Sequence, residues 1–366
     1  MDELEIQKEF FFPICNQNEI ERIFNVQNAK DYLLKIRAET IVDHMRLFRV
    51  YRNKALMNEK NWSLEKSFGN LHYEALIKNF AEDYQKKSKT ITYGNTFSND
   101  PNGCVFNTGY GPIITISDSL TFFFKFMNLA LMDFDGRVPG YVCINALRIA
   151  IRVMWQKETL DFFMDPRGIV PEDIGRIIHS TIPYQMQFIA GHEFAHYLLG
   201  HLSESNTIEK PIFHAIFPND QEYKPMNVYN KSQRQEFEAD IHSIELPKYN
   251  PDEKKKILEA ALVWFGSLDL YESAVNTINP LNPYGYHTHP SARDRYENLL
   301  SNIPIPSGFE TENWKEFLKT IDHYKKILLE DLSKNIEAYE IYGSVYLDKP
   351  NSEWRGPELK DRIDYY

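Results

Sequence analysis

Two histidines and a glutamate occupy five consecutive positions inside the largely apolar stretch QFIAGHEFAHYLLGHL, residues 187–202. The motif reads His-Glu-Phe-Ala-His from His192 to His196. On a helix, residues four apart lie on the same face, so both imidazoles can bind one metal ion. Glu193 then lies beside the metal, where its carboxylate can act as a general base on water. Such a site needs a third protein ligand and leaves a fourth position for water.

The neighbours of this motif favour a metal site over a chance occurrence of the same letters. The helix is predicted to be apolar nearly all round, and therefore buried, because of Phe188, Ile189, Phe194, Tyr197, Leu198 and Leu199. Burying two imidazoles and a carboxylate without partners is unfavourable, and a divalent cation compensates all three groups. The sequence therefore predicts one zinc ion (Zn2+) per chain.

The third ligand is predicted to come from the acidic stretch RQEFEADIHS, residues 234–243. On a helix, Glu236 and Asp240 share a face, whereas Glu238 points away from them. Glu236 can complete the metal site. Asp240 can accept a hydrogen bond from the second nitrogen of a ligand histidine, which fixes the tautomer of that ring. Taken alone, these acids fit a solvent-exposed helix face equally well.

Two other histidines are not predicted to be ligands. The metzincin pattern HExxHxxGxxH would need glycine at position 199 and histidine at position 202, and this chain has leucine at both. His201 is instead predicted to end the helix, where a cationic ring interacts favourably with the helix dipole. His242 is predicted to be structural or exposed.

Three motifs follow one another along the chain: HExxH at 192–196, ExxAD at 236–240 and THPxxxxR at 288–295. In this order they resemble the HtpX and CAAX-prenyl-endopeptidase type of gluzincin metallopeptidase. The chain is more similar to the soluble Lit-like phage-exclusion peptidases, which share HExxH, ExEAD and NTHPxxxxR. The stretch PIITISDSLTFFFKF also resembles a strand and an aromatic helix of those proteins, so the resemblance covers residues 112–300.

The resemblance implies roles for individual residues. It makes Glu236 the third zinc ligand, in preference to Glu238. It assigns stabilisation of the oxyanion to His289 and makes Arg295 the residue that holds the segment around His289 in place. Members of the HtpX and prenyl-endopeptidase groups carry transmembrane helices, and this sequence shows none, which is a departure from their pattern.

The resemblance also implies an activity, a zinc-dependent endopeptidase that hydrolyses peptide bonds of a protein substrate. The similarity to Lit-like proteins implies a role in phage defence, with a host translation factor as the substrate. Two alternatives remain open. ImmA-like peptidases, which cleave repressors, have a similar HExxH helix but lack the THPxxxxR segment. A zinc-stabilised, non-catalytic regulatory protein would need either the water position to be blocked or Glu193 to be kept from the water.

Composition restricts the class of protein. The 366 residues include 43% hydrophobic and 14% aromatic residues, which is a globular composition, and the formal net charge is −11. So acidic a chain is not expected to bind nucleic acid. The three cysteines are widely spaced and indicate reduced thiols. The acidic N-terminus lacks a secretory pattern, and no apolar stretch is long enough to span a bilayer, so we expect a cytoplasmic protein without a membrane partner.

The motifs are predicted to lie in a mainly helical α+β fold, with a zincin-like metallopeptidase core that contains a small β-sheet and the HExxH helix. Residues 1–90 are predicted to be a helical N-terminal region, 91–302 the peptidase domain, and 303–366 a helical extension and tail. The turn-rich stretch 91–112 and the strand PIITIS predict the sheet. As an edge strand, PIITIS could pair with an extended substrate; the alternative is a strand inside the core.

Helical periodicity places further elements around the motifs. Residues 27–87 are predicted to be helical, and a helix is expected at about 142–156. The HExxH helix is predicted to begin near Thr181, with Pro183 in its first turn, and to end near Gly200. Residues 203–231 are predicted to be a long polar loop. Later helices are expected at 232–246, 253–278, 290–301 and 312–340.

Overall fold

The chain folds into helices arranged around one small sheet. The computed structural model describes residues 3–97, 102–201, 207–210, 226–229, 233–279 and 290–357. The helices formed by these residues are α1 (Glu3–Glu9), α2 (Gln17–Phe24), α3 (Ala29–Asp43), α4 (Met45–Met57), α5 (Leu64–Ser67), α6 (Leu71–Lys78), α7 (Glu82–Ser88), α8 (Ser119–Leu131), α9 (Gly140–Met154), α10 (Glu172–Leu198), α11 (Gln233–Glu245), α12 (Pro251–Ile278), α13 (Ala292–Asn302), α14 (Thr311–Asn335) and α15 (Glu337–Glu340). The strands are β1 (Thr92–Thr96), β2 (Gly103–Thr108), β3 (Gly111–Ser117), β4 (Thr207–Lys210) and β5 (Met226–Tyr229). The predicted mainly helical α+β class is confirmed.

Most helices lie where apolar periodicity predicts them. The helices expected at 142–156, 232–246 and 253–278 correspond to α9, α11 and α12. The region at 27–87 contains five helices, α3 to α7. The helix expected at 312–340 is divided between α14 and the short α15. Repeating apolar faces of this length are therefore sufficient to locate the elements, although not their ends.

The HExxH helix is longer than predicted. α10 begins at Glu172 rather than near Thr181, and Pro183 lies inside it rather than in its first turn. An internal proline removes one backbone hydrogen bond and costs about 3 kcal/mol. The helix continues through this position because its N-terminal half has its own buried face, formed by Ile174, Ile178 and Ile182. The predicted start of the helix near Thr181 is wrong because burial of this apolar stripe outweighs the preference of proline for the first turn.

The sheet has the strand order β1-β3-β2-β5-β4. β3 pairs in parallel with β1 and antiparallel with β2, so it is an interior strand. The expectation that PIITIS is an edge strand able to pair with substrate is therefore wrong. Its isoleucines are fully buried and its polar residues Thr115 and Ser117 are buried as well, so neither face of the strand from Ile113 onwards is exposed to solvent. β2 and β3 pair as an antiparallel hairpin, so the turn-rich stretch and the strand PIITIS do contribute to the predicted small sheet.

The predicted loop at 203–231 contains two strands instead. β4 and β5 pair antiparallel, and β5 extends the sheet by pairing with β2 at Phe106 and Asn107. The polar composition of this stretch predicted a loop, but strand formation depends on an available partner strand as much as on composition. β2 supplies that partner.

α10 lies at the centre of the fold. It packs against α6, α8, α11 and α12, and also against β2 and β3. One cluster of buried apolar side chains surrounds it and runs through the chain from Phe11 to Trp354, including residues of each of the three predicted regions. In the part of the chain that the structure describes, no helix has both the length and the apolar character needed to cross a bilayer.

Candidate metal centre

The ligands predicted from the sequence lie together in the structure. α10 places His192 Nε2 and His196 Nε2 at 3.1 Å from each other. α11 brings Glu236 against both rings, with Oε2 at 3.5 Å from His192 Nε2 and Oε1 at 3.4 Å from His196 Nε2. All three side chains are buried. Among the described residues, this trio is the group whose ligand atoms are close enough to bind one metal ion.

These distances fit a tetrahedral zinc site. Zinc binds histidine nitrogen and carboxylate oxygen at about 2.0–2.2 Å, and two ligand atoms of a regular tetrahedron are then separated by about 3.3–3.6 Å. His192 Nε2 and His196 Nε2 are 3.1 Å apart, and their contacts of 3.5 and 3.4 Å with Glu236 are made to its two different oxygens. One ligand atom from each of the three residues lies within 4.8 Å of the others, which leaves room for an ion between them. Two imidazoles and one carboxylate are also the donor set of many catalytic zinc sites. The residues therefore fit the ion that the sequence predicts.

The charges around the trio favour a divalent cation as well. Glu193, Glu236 and Asp240 are buried with exposed fractions of 2%, 1% and 0%. The guanidinium of Arg295 contacts two of these carboxylates. Metal binding requires neutral imidazoles and deprotonated carboxylates. In that state the three carboxylates and one guanidinium sum to a net charge of −2 in a region removed from water, which is unfavourable without further compensation. A doubly charged ion between the imidazoles neutralises it.

Asp240 contacts the imidazole nitrogen of His192 that faces away from the metal position. Its Oδ1 lies 2.9 Å from His192 Nδ1, so the ring donates there and directs Nε2 towards the metal position. Burial lowers the pKa of His192, but the neighbouring carboxylates of Asp240 and Glu236 outweigh it and raise the pKa above its ordinary value. Asp240 therefore occupies the place predicted for it from the sequence.

Arg295 connects α13 to this arrangement. Its Nη2 donates to Asp240 Oδ1 at 2.6 Å, and its Nε donates to Asp240 Oδ2 at 2.8 Å. Its Nη1 lies 3.4 Å from Glu236 Oε2. Burial opposes the charge of the guanidinium, but Asp240 and Glu236 more than offset it and keep the pKa of Arg295 above its usual value. Its described contacts thus fix the carboxylates of the metal centre.

Two glycines permit close packing around the motif. A Cβ atom on Gly191 would lie 3.0 Å from the backbone oxygen of Ser243, so the absence of a side chain lets α10 and α11 approach. A Cβ atom on Gly103, the first residue of β2, would lie 2.9 Å from Glu193 Oε1 and 2.8 Å from Ile189 Cγ2. β2 therefore covers the carboxylate of the predicted base. Sequence reasoning missed both residues, because their roles depend on tertiary neighbours.

His201 differs from its prediction as a charged residue at the end of the helix. It is buried, and its Nδ1 lies 2.9 Å from His196 Nδ1. Its Nε2 lies 3.4 Å from Oε2 of Glu238, the acid that was expected to face away from the site. Burial lowers the pKa of His201, and Glu238 opposes that shift only in part. The ring is therefore favoured in its neutral form.

Two predictions about other histidines have different outcomes. His289, the predicted oxyanion donor, lies outside the described residues, so its role stays a prediction. The described chain resumes at Pro290, directly before α13, which Ser291 caps by accepting a hydrogen bond from Asp294 N. His242 lies on α11 and is not part of the trio described above.

Comparison of the chain with protein-family models, curated proteins and solved structures found no match. The geometry of the metal centre and the three sequence motifs are therefore the basis for proposing a function.

Proposed function

We propose that the chain is a zinc-dependent endopeptidase with a zincin-like core. The observation that carries the proposal is the meeting of two imidazole nitrogens, 3.1 Å apart, with one buried carboxylate, that of Glu236. Its Oε2 lies 3.5 Å from His192 Nε2 and its Oε1 lies 3.4 Å from His196 Nε2. Glu193 follows the first ligand on the same helix, the position from which a carboxylate can act as general base on a metal-bound water. The packing of α10 against β2 and β3 supports a zincin-like arrangement of helix and sheet.

The bound zinc would lower the pKa of a water molecule towards about 7 and polarise the substrate carbonyl. Glu193 would take the proton from the attacking water and deliver it to the leaving amine. Asp240 and Arg295 would hold His192 and Glu236 in place during turnover. The resemblance to gluzincins adds His289 as the donor to the developing oxyanion, which is worth about 3 kcal/mol in comparable sites.

The position of Arg295 favours this proposal over an ImmA-like peptidase. ImmA-like proteins lack the THPxxxxR segment, whereas here its arginine donates to Asp240 through two nitrogens. That contact places the arginine of the third motif against the carboxylates of the metal centre. It supports the gluzincin resemblance and, with it, a protein substrate; a host translation factor and a role in phage defence are part of the same proposal.

The test combines metal analysis with mapping of cleavage products. Gently purified wild type should contain about one zinc per chain by elemental analysis. Cells that express wild type should accumulate protein fragments with new N-termini, and cells that express Glu193→Gln should not, although that variant keeps its zinc. Glu172→Gln is a matched control, because it makes the same chemical change at an exposed position of α10.

Each part of the proposal can fail separately. Wild type without bound metal would remove the zinc site. A Glu193→Gln variant that still produces the fragments would remove Glu193 as the base. A metal-containing wild type that yields no fragments in cells containing the proposed translation factors would favour the non-catalytic alternative.

A further inference from the structure

The end of α10 folds the next residues back over its last turn. Gly200 has a φ of 75°, a left-handed conformation that favours glycine. The backbone N–H of Gly200 donates to the carbonyl of Tyr197, and the N–H of His201 donates to the carbonyl of His196. This pair of bonds is a Schellman motif. The motif holds the backbone of His201 next to His196, the second candidate metal ligand.

The ring contacts of His201 allow one consistent set of proton positions when zinc is bound. His196 presents Nε2 to the metal position, so its proton lies on Nδ1 and is donated to His201 Nδ1, 2.9 Å away. His201 then accepts at Nδ1 and carries its own proton on Nε2. That nitrogen faces Glu238 Oε2 at 3.4 Å. Each donor in this chain meets an acceptor.

We propose that His201 and Glu238 form a positioning arm that holds the His196 imidazole in its metal-binding orientation and tautomer. The inference rests on the metal-binding part of the proposed function and does not require proteolysis. Asp240 contacts Nδ1 of His192 in the same way, so each of the two ligand histidines has a residue that orients its ring. Groups that orient metal ligands typically change metal affinity 10- to 100-fold when they are removed.

The two supports differ in their exposure to solvent. Asp240 is fully buried and is held by Arg295. The arm behind His196 ends at Glu238, whose side chain is 39% exposed and pairs with the exposed Arg234 at 3.2 Å. Solvent screens the contact between His201 and Glu238, so His201 contributes most of the effect and Glu238 a smaller part.

The test measures zinc affinity by competition with a chromophoric chelator, together with the visible spectrum of the cobalt-substituted protein. His201→Ala should weaken zinc binding about 10- to 100-fold and alter the cobalt spectrum. His201→Asn should bind within about threefold of wild type, because its side-chain oxygen can replace Nδ1 as the acceptor. His179→Ala, which removes an exposed histidine from α10, is the matched control and should not change affinity.

A double-mutant cycle identifies the arm as a unit. Glu238→Ala should weaken binding about threefold in wild type and have no effect in the His201→Ala background, since the acid acts through His201. Unchanged affinity in His201→Ala, equal losses in His201→Ala and His201→Asn, or additive effects of the two alanine variants would each overturn the proposal. A wild type that binds no zinc would instead contradict the proposed function, so the two failures are distinguishable.

Discussion

Gly191 offers a direct test of how the helices create the metal centre. It precedes His192 on α10 and lies against Ser243 of α11, the helix that supplies Glu236 and Asp240. In Gly191→Ala, the new Cβ atom would meet three Ser243 atoms, O, Cβ and Cα, at 3.0, 3.2 and 3.3 Å. Because ordinary contact begins near 3.4 Å, α11 must move away by a few tenths of an ångström.

The expected magnitudes follow from two opposing effects. Replacing glycine by alanine within a helix stabilises it by about 1 kcal/mol. Overpacking a close contact costs about 1–3 kcal/mol. Without metal, the free energy of unfolding of Gly191→Ala should therefore lie between the wild-type value and a value about 2 kcal/mol lower. Zinc coordination tolerates ligand displacements of only about 0.2 Å, so we expect zinc affinity to fall about 10-fold, or about 1.4 kcal/mol.

Gly175→Ala is the control on the same helix. A Cβ atom at Gly175 meets no atom within 4 Å, so only the gain in helix propensity remains. This variant should unfold about 1–2 °C higher than wild type and bind zinc with unchanged affinity. Thermal unfolding in excess chelator measures the packing effect, and chelator competition measures zinc binding. If Gly191→Ala matches Gly175→Ala in both measurements, the close approach of α10 and α11 does not determine the site.

Three further predictions concern the surroundings of the ligands. Gly103→Ala should displace the Glu193 carboxylate and reduce kcat at least about 10-fold while the zinc content stays at one per chain; normal turnover would show that β2 does not position the base. Asp240→Asn should lower zinc affinity about 10- to 100-fold, and chelator competition that shows no change would remove Asp240 as a support. Glu272 accepts a hydrogen bond from Ala292 N, and burial raises its pKa to about 7. Because the folded state favours its protonated form, the free energy of unfolding of wild type should fall relative to Glu272→Gln as pH rises from about 5 to about 8, by about 2–3 kcal/mol. Equal pH dependence of the two proteins in urea unfolding would contradict this prediction.

The candidate ligand set could be predicted from sequence because local periodicity gives two pairs of residues on one face each, and the resemblance to gluzincins selects Glu236 as the third ligand. His192 and His196 are four residues apart on one helix, and Glu236 and Asp240 repeat that spacing on another. Helix geometry alone then determines which side chains face the same direction. The structure places Glu236 and Asp240 on the side that faces α10. Glu238, one position off this face, contacts His201 instead.

The features that were missed depend on neighbours that are distant in sequence. Nothing around Gly103 or Gly191 indicates which helix or strand approaches them. The role proposed for His201 follows from the left-handed turn at Gly200. The glycine is visible in the sequence, but on its own it predicts only that the helix ends there. The start of α10 was wrong for a related reason, since tertiary burial of its first turns outweighs the local effect of Pro183.

The large apolar cluster described above joins the regions that flank the central helices to those helices. Side chains from α3, α10 and α14 contribute to the same buried cluster. A recombination junction near residue 90 or 302 would separate side chains that pack together in this cluster. Lineages that replace either flank must therefore also inherit, or rebuild, the faces of the central helices that contact it.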